Sequence, residues 1–573
     1  MNRHEIAAIF AELAAILEIK GENPFKVRAY ETAARVIDGL THFDTLFAKG
    51  ELTTIKGIGK NLDAHIAELM TTGTLKEYEA LRAKVPAGLL EVLRIPGVGA
   101  KKAKLLWEKL HIRDLGSLEL ACRGHRVAKL PGMGERTEEK ILQGIQYVRA
   151  QQGRHLFPFA AQAAAEVEAA LREHPAVIRL MICGSLRRKK EIVKDIDCVA
   201  SSKHPADVME AFVTLPMALR VIAKGDTKST ILLTTGIQCD LRVVTDAEFP
   251  FAIHHFTGSK AHNVAMRSRA IAKGMKLSEY GLFKTSKGGE RLVPCKDEAA
   301  IFAALGLTDI PPELREDMGE IDAAAQGTLP DLVEERDLQG VFHCHTQYSD
   351  GTASLEEMVT GAMRAGFKYI GISDHSQSAG YAGGLKPPAI KQQHREIDAL
   401  QKRLPSIRIF KGIESDILAD GRLDYADAVL QTFDFVIASI HARLSLSAEE
   451  MTRRMCTAIA HPATTILAHP TGRLLLARDA YPVDLPAVID AAARRGVAIE
   501  INANPHRLDM DWRHGPYAKG RGLKTMINPD AHSVRGIEDM RYGVGIARKG
   551  WWTKDEVVNT WPVEKVERWL RVS

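Results

Sequence analysis

The chain has 573 residues, enough at roughly 100–200 residues per domain for about three to five domains, each able to bury its own core. Apolar residues make up 45% and charged residues 26%, ordinary for a soluble globular protein, and a net charge of +5 permits a polyanionic partner without demanding one. The seven cysteines are scattered without a CxxC pair, which argues against a disulfide framework or zinc ribbon and makes a reducing cytoplasm the expected location.

The N-terminus, MNRHEIAAIFAELAAILEIKGE, is interrupted by Glu5 and Glu12, so it reads as an amphipathic helix rather than a signal peptide. No apolar run reaches the length of a membrane span. Residues 1–150 then read as short helices punctuated by glycine pairs. TTIKGIGKNLDAHIAEL, LRIPGVGAKKAKLLWEKL and VAKLPGMGERTEEKILQGI share one pattern: an apolar residue, a G-x-G turn, an amphipathic helix. Such self-similarity marks a repeated supersecondary unit.

From about residue 155 the character changes. An Ala-rich helix over 160–171 leads into β-type runs VIRLMICGS, DIDCVAS, STILLTT and IQCDLRVV, which suggest an α/β or α+β sheet domain. A helical stretch follows Phe249. Residues 311–338 are acidic and Pro-punctuated and read as a linker with a short helix. Beyond 339, VFHCH, YIGISDH, RIFKGIES, FDFVIASIH, TILAHP, VAIEIN and TMINPDAH alternate with amphipathic helices, as in a βα barrel with its site at the strand ends.

Those strand ends carry His343, His345, Asp350, Asp374, His375, Glu414, His441, His469, Asp530 and His532. Residues i and i+2 of a strand share a face, so H-x-H and D-x-H can each aim two ligands at one metal. Imidazole and carboxylate suit Zn, Mn or Fe, and a bridging carboxylate such as Glu414 could hold two ions. A lone histidine is more often a core or surface residue; placement after successive β-like runs is what points to a metal centre. In order, FHCHTQYSDG, GISDHS, GIESDIL, ASIHARL, LAHPTG and INPDAHS resemble the PHP (polymerase and histidinol phosphatase) family over 339–573. The resemblance implies a distorted (β/α)7 barrel with a three-ion Mn²⁺, Zn²⁺ or Fe²⁺ centre. Its ligands would be His343, His345, Asp350, His375, Glu414, His441, His469, Asp530 and His532, with Asp374 behind them. It also implies active phosphoester hydrolysis by metal-activated water. Arg443 and Arg507 are candidates to hold a phosphate, or ordinary surface arginines.

In GSLRRKKEIVKDIDCV, Asp195 and Asp197 share a strand face, and Asp240 sits on a later strand. Three carboxylates on adjacent strands can bind two Mg²⁺ or Mn²⁺ ions. Gly184–Ser185 would let backbone amides approach phosphate, and Arg187, Arg188, Lys189 and Lys190 add positive charge. D-x-D alone is common; its spacing from G-S and the third Asp point to nucleotidyl transfer. This segment, together with HFTGSKAHNVAMRSRA, resembles the family X DNA polymerases. By that likeness Ser185 and Arg188 would bind the triphosphate, Phe256 and Gly258 would lie against the sugar, Asn263 would reach the base edge and Arg267 the template side, with Arg242 supporting the third carboxylate. His255 replaces a tyrosine of the vertebrate relatives.

The glycine pairs Gly57/Gly59, Gly97/Gly99 and Gly132/Gly134 resemble helix–hairpin–helix motifs, whose turns present backbone N–H groups to a DNA phosphate without reading sequence; Lys101, Lys102 and Lys104 add charge. Family X can carry a deoxyribose-phosphate lyase lysine in its first domain. His65 occupies that place here, and neither Lys26 nor Lys60 matches it, so an efficient lyase is not expected.

The whole resembles the bacterial and archaeal PolX family. The implied layout is an 8-kDa-like helical domain (1–80), a fingers-type helix–hairpin–helix domain (81–150), an α/β nucleotidyltransferase palm (151–245), a thumb-type nucleotide pocket (246–317), a linker (318–338) and the PHP domain (339–573). The implied function is gap-filling DNA synthesis from dNTPs plus 3′–5′ exonuclease or 3′-end processing, with abasic-site cleavage, in base excision repair. The expected enzyme is a cytoplasmic, nucleoid-associated monomer acting on gapped or primer–template DNA. The alternative is a PHP nuclease whose polymerase half binds DNA but is weakly active.

Overall fold

The computed structural model describes every residue except Asn2, Thr41, His42, Lys56, Lys287, Gly288 and Ser573. It divides into two compact units. One comprises Met1–Gln152 with Leu476–Arg478 and Ser533–Arg535; the other holds the remainder. Among the described residues, no helix is long and apolar enough to cross a membrane.

The first unit is helical. One continuous core runs from Ile6 and Phe10 through Ile66, Leu89 and Leu106 to Ile145, so the two N-terminal domains separated at residue 80 by sequence share a single interior. The three glycine pairs adopt one geometry. Gly57, Gly97 and Gly132 have φ of 102°, 82° and 74°, and Gly59, Gly99 and Gly134 begin the helices Lys60–Thr72, Ala100–Leu110 and Glu135–Gln151. Between each pair, the amide of Ile58, Val98 or Met133 donates to the carbonyl three residues back. Left-handed backbone there is open to glycine at little cost.

In the second unit, β1 (His155–Leu156) precedes the expected Ala-rich helix, which spans Phe157–Arg172. There follow β2 (Arg179–Ile182), β3 (Ile192–Val193), β4 (Asp195–Ser201), β5 (Ala218–Lys224), β6 (Lys228–Leu233) and β7 (Gln238–Val244). Five of these form a mixed sheet in the order β2-β4-β7-β6-β5. β5 has no counterpart among the sequence-read runs, because ALRVIAK is an edge strand whose Leu219, Val221 and Ile222 stay exposed and show no alternation. Helices Phe249–Thr257 and Lys260–Ala272 follow, then a three-stranded antiparallel sheet, β8 (Met275–Ser278), β9 (Gly281–Ser286) and β10 (Gly289–Val293).

Residues 311–338 contain the expected short helix, Glu320–Gln326, but they are packed rather than free. Leu314, Arg315, Glu320 and Val333 are buried. Beyond them β11 (Gly340–Cys344), β12 (Tyr369–Ile372), β13 (Arg408–Asp416), β14 (Phe435–Ser439), β15 (Ile466–Leu467), β16 (Ala498–Asn502) and β17 (Thr525–Asn528) form one all-parallel sheet in sequence order. Its two ends meet: the amide of His345 donates to Ala531 O (2.8 Å), and that of Ala531 to His343 O (3.0 Å). The result is a nearly closed seven-stranded barrel whose strands are buried except at Arg408 and Lys411 of β13, as expected where helices cover a parallel sheet.

Candidate metal centres

The nine barrel residues singled out by sequence come together. Four overlapping groups, His345/Asp350/His375/His532, His343/His469/Asp530, His343/His345/Glu414 and His375/Glu414/His441, each place their ligand atoms within 4.8 Å of one another. Glu414 is the hub. Its Oε1 lies 3.3, 3.3 and 3.0 Å from Nε2 of His343, His441 and His469, and its Oε2 lies 2.8 Å from His375 Nδ1 and 3.6 Å from His345 Nε2. His532 Nε2 stands 3.2 Å from Asp350 Oδ1.

Strand alternation alone does not bring them together. The β11–β12 register shifts between Val341 and Cys344, and His343 has φ of 57°. His469 and Asp530 also have positive φ, and Asp530 and His532 lie beyond the end of β17. The i, i+2 argument for HCH and DAH therefore needs correction: left-handed residues at the strand ends aim these side chains inward. Non-glycine residues in that region are uncommon and cluster at functional sites.

A cation fits this donor set. Both ring nitrogens of buried His345, Nε2 of His343, Nδ1 of His469, Oδ1 of Asp350 and Oε2 of Glu414 form no hydrogen bond of proper geometry, although several of them lie at ion-pair distance from other groups of the cluster. Buried polar atoms are rarely left so. Burial opposes charge on Glu414, yet His375, His441 and His343 hold it well below the usual carboxylate range. Burial likewise opposes charge on His441, but Glu414 and Asp416 raise it to about 10.

Behind these ligands stand residues that sequence reading missed. Glu500, fully buried on β16, accepts from His343 Nδ1 (2.6 Å), the His469 amide (3.2 Å), Asn502 Nδ2 (2.9 Å) and Asn528 Nδ2 (3.1 Å). Asp416 pairs with His441 Nδ1. The available signal for Asp416 was its i+2 spacing from Glu414 on β13. Asp374 points away from the cluster and collects Thr346, Ser349 and Gln393. Arg507 Nε reaches Asp530 Oδ2 at 3.4 Å, whereas Arg443 lines a depression with Asp420 and Arg453.

In the mixed sheet, Asp195 and Asp197 lie two apart on β4, and Asp197 is the register partner of Asp240 on the parallel neighbour β7. Burial, with Asp195 and Asp240 close by, raises the Asp197 carboxyl to about 7, so this cluster too favours a cation. Lys228 Nζ stands 2.6 Å from Asp240 Oδ2. Arg242, two residues beyond Asp240 on β7 and so on the same strand face, lies over the Phe256 ring at 4.5 Å.

Gly184 has φ of 64°, and a Cβ there would lie 2.1 Å from Asp197 Oδ2. The loop can therefore approach the carboxylates only with glycine. Ser185 is half-buried one residue on. Arg188 donates to Thr257 O (2.6 Å) and Glu316 Oε1 (2.9 Å), and Arg187 is engaged by Thr257 Oγ1 (2.7 Å) and Glu298. Asn263 Nδ2 donates to His255 O (2.7 Å) and Gly258 O (3.2 Å), tying the segment Phe256–Gly258 to the next helix, which also carries Arg267.

In the helical unit, His65 meets Tyr30 Oη (3.0 Å) and Glu77 (3.4 Å), and Lys26 pairs with Glu77 (2.8 Å). Lys101 and Lys102 open the second hairpin's helix, with Lys102 Nζ on Gly97 O (2.8 Å).

Comparison with known proteins finds similarity along the whole chain. A helix-hairpin-helix domain family matches residues 1–75, a SAM-like helix-hairpin-helix tandem 89–146, the DNA polymerase beta thumb 252–316 and the PHP domain 342–504. The DNA polymerase/3'-5' exonuclease PolX of Bacillus subtilis is 38% identical over 573 residues, covering 100% of both chains. A probable phosphatase of Caldanaerobacter subterraneus is 27% identical over 249 residues, 40% of this chain and 89% of its own. One of Caldicellulosiruptor bescii is 33% identical over 166 residues, 28% of this chain and 63% of its own.

Proposed function

The chain belongs to the PolX family, family X DNA polymerases with a C-terminal PHP domain, and on that premise we propose that it fills short gaps in DNA and trims 3′ ends. The observation that carries this reading is the presence, in one chain, of two separate cation-demanding clusters: the Asp195/Asp197/Asp240 triad and the nine-residue barrel site.

Divalent cations bound at the two centres would activate the attacking oxygen and neutralise the phosphoryl oxygens. The protein does the rest. In the palm, Asp195, Asp197 and Asp240 are the residues to hold Mg²⁺ or Mn²⁺. Gly184 and Ser185 bring backbone close to the triphosphate, and Arg188 contributes charge. Phe256 and Gly258 offer a surface for the sugar, with Asn263 and Arg267 towards the base pair. In the barrel, Glu500 and Asp416 accept the Nδ1 protons of His343 and His441, which fixes the tautomer that turns each Nε2 toward Glu414. Mn²⁺, Zn²⁺ or Fe²⁺ suits that imidazole–carboxylate set.

The hairpins at Gly57/Gly59, Gly97/Gly99 and Gly132/Gly134 grip gapped DNA through phosphates. Lys26 is held by Glu77 and His65 stands at the lyase position, so the helical unit binds the 5′ side of a gap rather than excising the sugar. The cellular setting we assign is base excision repair, with abasic-site cleavage as a second use of the barrel.

The test is a 5′-labelled primer in a one-nucleotide gap, incubated with Mn²⁺ with and without dNTPs. Shortening without dNTPs and extension with them supports both activities. Shortening in both conditions means a nuclease with an inactive palm, and an unchanged primer refutes the reading.

A further inference from the structure

Arg188 does not meet Glu316 alone. Lys549, the last residue of the barrel helix Met540–Lys549, places Nζ 2.8 Å from the same Glu316 Oε1 that accepts from Arg188 Nε at 2.9 Å. Lys549 is 1% exposed; its ammonium also donates to Glu313 O (3.2 Å) and sits 4.4 Å from the centre of the Trp512 ring. The same helix lies close against the phosphate loop. A Cβ at Gly545 would come within 3.3 Å of Lys189 Cβ, and Tyr542 packs edge-on to Phe157 at 6.0 Å. Trp512, from the barrel, donates to Glu191 (3.3 Å) and lies under Lys190 (5.1 Å).

The charge count is informative. Arg187 has its own carboxylate, Glu298, which it shares with buried Arg315. Arg188 and Glu316 would already neutralise each other. A third buried charge costs desolvation, which is visible in Lys549: burial lowers it to about 8 against the pull of Glu316. With Lys549 in place the group of Arg188, Glu316 and Lys549 is net positive; without it, Glu316 is left to Arg188, with Lys190 the remaining nearby cation.

We infer that Lys549 of the PHP domain is a positioning residue for nucleotide binding in the palm, sharing Glu316 so that the Arg188 guanidinium keeps its charge for the triphosphate of an incoming dNTP. The inference rests on the reading of Arg188 as a triphosphate contact. It makes the barrel part of the polymerase's nucleotide site, by a charge delivered from the far side of Glu316.

The experiment uses the full-length enzyme. dNTP KM and kcat are measured in single-nucleotide gap filling, and hydrolysis of bis-p-nitrophenyl phosphate with Mn²⁺ monitors the barrel. Lys549→Met is expected to raise dNTP KM about tenfold, equivalent to about 1.4 kcal/mol, with kcat within about twofold and diester hydrolysis unchanged. Lys549→Arg is expected to restore KM, and so is Lys549→Met combined with Glu316→Gln, which removes the carboxylate that would otherwise close on Arg188. A KM unchanged in Lys549→Met, while Arg188→Ala raises it, overturns the inference but not the Arg188 reading; an unchanged KM in Arg188→Ala overturns both. If Lys549→Met does not fold, the double variant decides: KM near wild type supports the inference, and KM raised as in Arg188→Ala refutes it.

Discussion

Asp197 and Asp240 are register partners on the neighbouring parallel strands β4 and β7, forty-three residues apart in sequence and side by side in the sheet. With Asp195 beside them, burial raises the Asp197 carboxyl to about 7, well above its ordinary value. A cation must displace that proton. Mg²⁺ binding at pH 6 is therefore expected to release protons, and apparent affinity to rise between pH 6 and 8. Calorimetry in buffers of different ionisation enthalpy checks this; Asp197→Asn should abolish both effects and reduce primer extension by at least about a hundredfold, leaving diester hydrolysis intact.

Gly184 is the residue that lets the Cys183–Arg188 segment pass Asp197. Alanine there would put Cβ 2.1 Å from Asp197 Oδ2 at a φ of 64°. Gly184→Ala is expected to cost about 1–2 kcal/mol of stability from the left-handed backbone alone. Extension should fall with it while barrel hydrolysis persists. Thermal melting and the two activity assays separate these effects.

His345 has two buried ring nitrogens without hydrogen-bond partners. Its replacement by alanine removes a candidate ligand whose Nε2 stands 3.3 Å from Asp530 Oδ1 and 3.6 Å from Glu414 Oε2. His345→Ala is expected to lower metal content by about one ion per chain and to abolish 3′–5′ degradation while extension continues. Elemental analysis with a primer assay tests this, and unchanged metal content would count against the barrel assignment.

Glu500 belongs to none of the candidate ligand groups, yet it accepts from His343 Nδ1 at 2.6 Å. Glu500→Gln is expected to weaken metal binding about 10- to 100-fold. The nuclease defect should then be rescued by excess Mn²⁺, with polymerisation unaffected. A defect that no Mn²⁺ concentration relieves would mean Glu500 serves the fold instead.

Lys101 and Lys102 extend from the second hairpin's helix. Replacing both with alanine is expected to weaken gapped-duplex binding equally for all sequences and to make the slope of log K against log salt shallower by about 2. Fluorescence anisotropy across a salt series measures it.

Much of this molecule is written in local pattern. The three G-x-G turns, the β4 D-x-D and the nine candidate barrel ligands are each named by a short stretch of sequence, and the structure gives the turns one geometry, pairs Asp197 with Asp240 and gathers the nine side chains. The seven barrel strands were legible because strands buried on both faces read as continuous apolar runs. Edge strand β5 was not, since its exposed Leu219, Val221 and Ile222 carry no periodic signal. Nor did sequence show that residues 1–152 share one core, or that the left-handed φ of His343, His469 and Asp530, rather than strand alternation, aims those side chains.

What sequence alone determined, then, is the set of chemical groups and the local frames that carry them. What only the tertiary structure decided is who stands behind those groups: Glu500 under His343, Lys228 beside Asp240, and Lys549 across Glu316 from Arg188. Lys549 and Glu316 are more than two hundred residues apart. A buried charge chooses its partner by distance and desolvation, which depend on how the chain folds back and leave no spacing in the sequence to read.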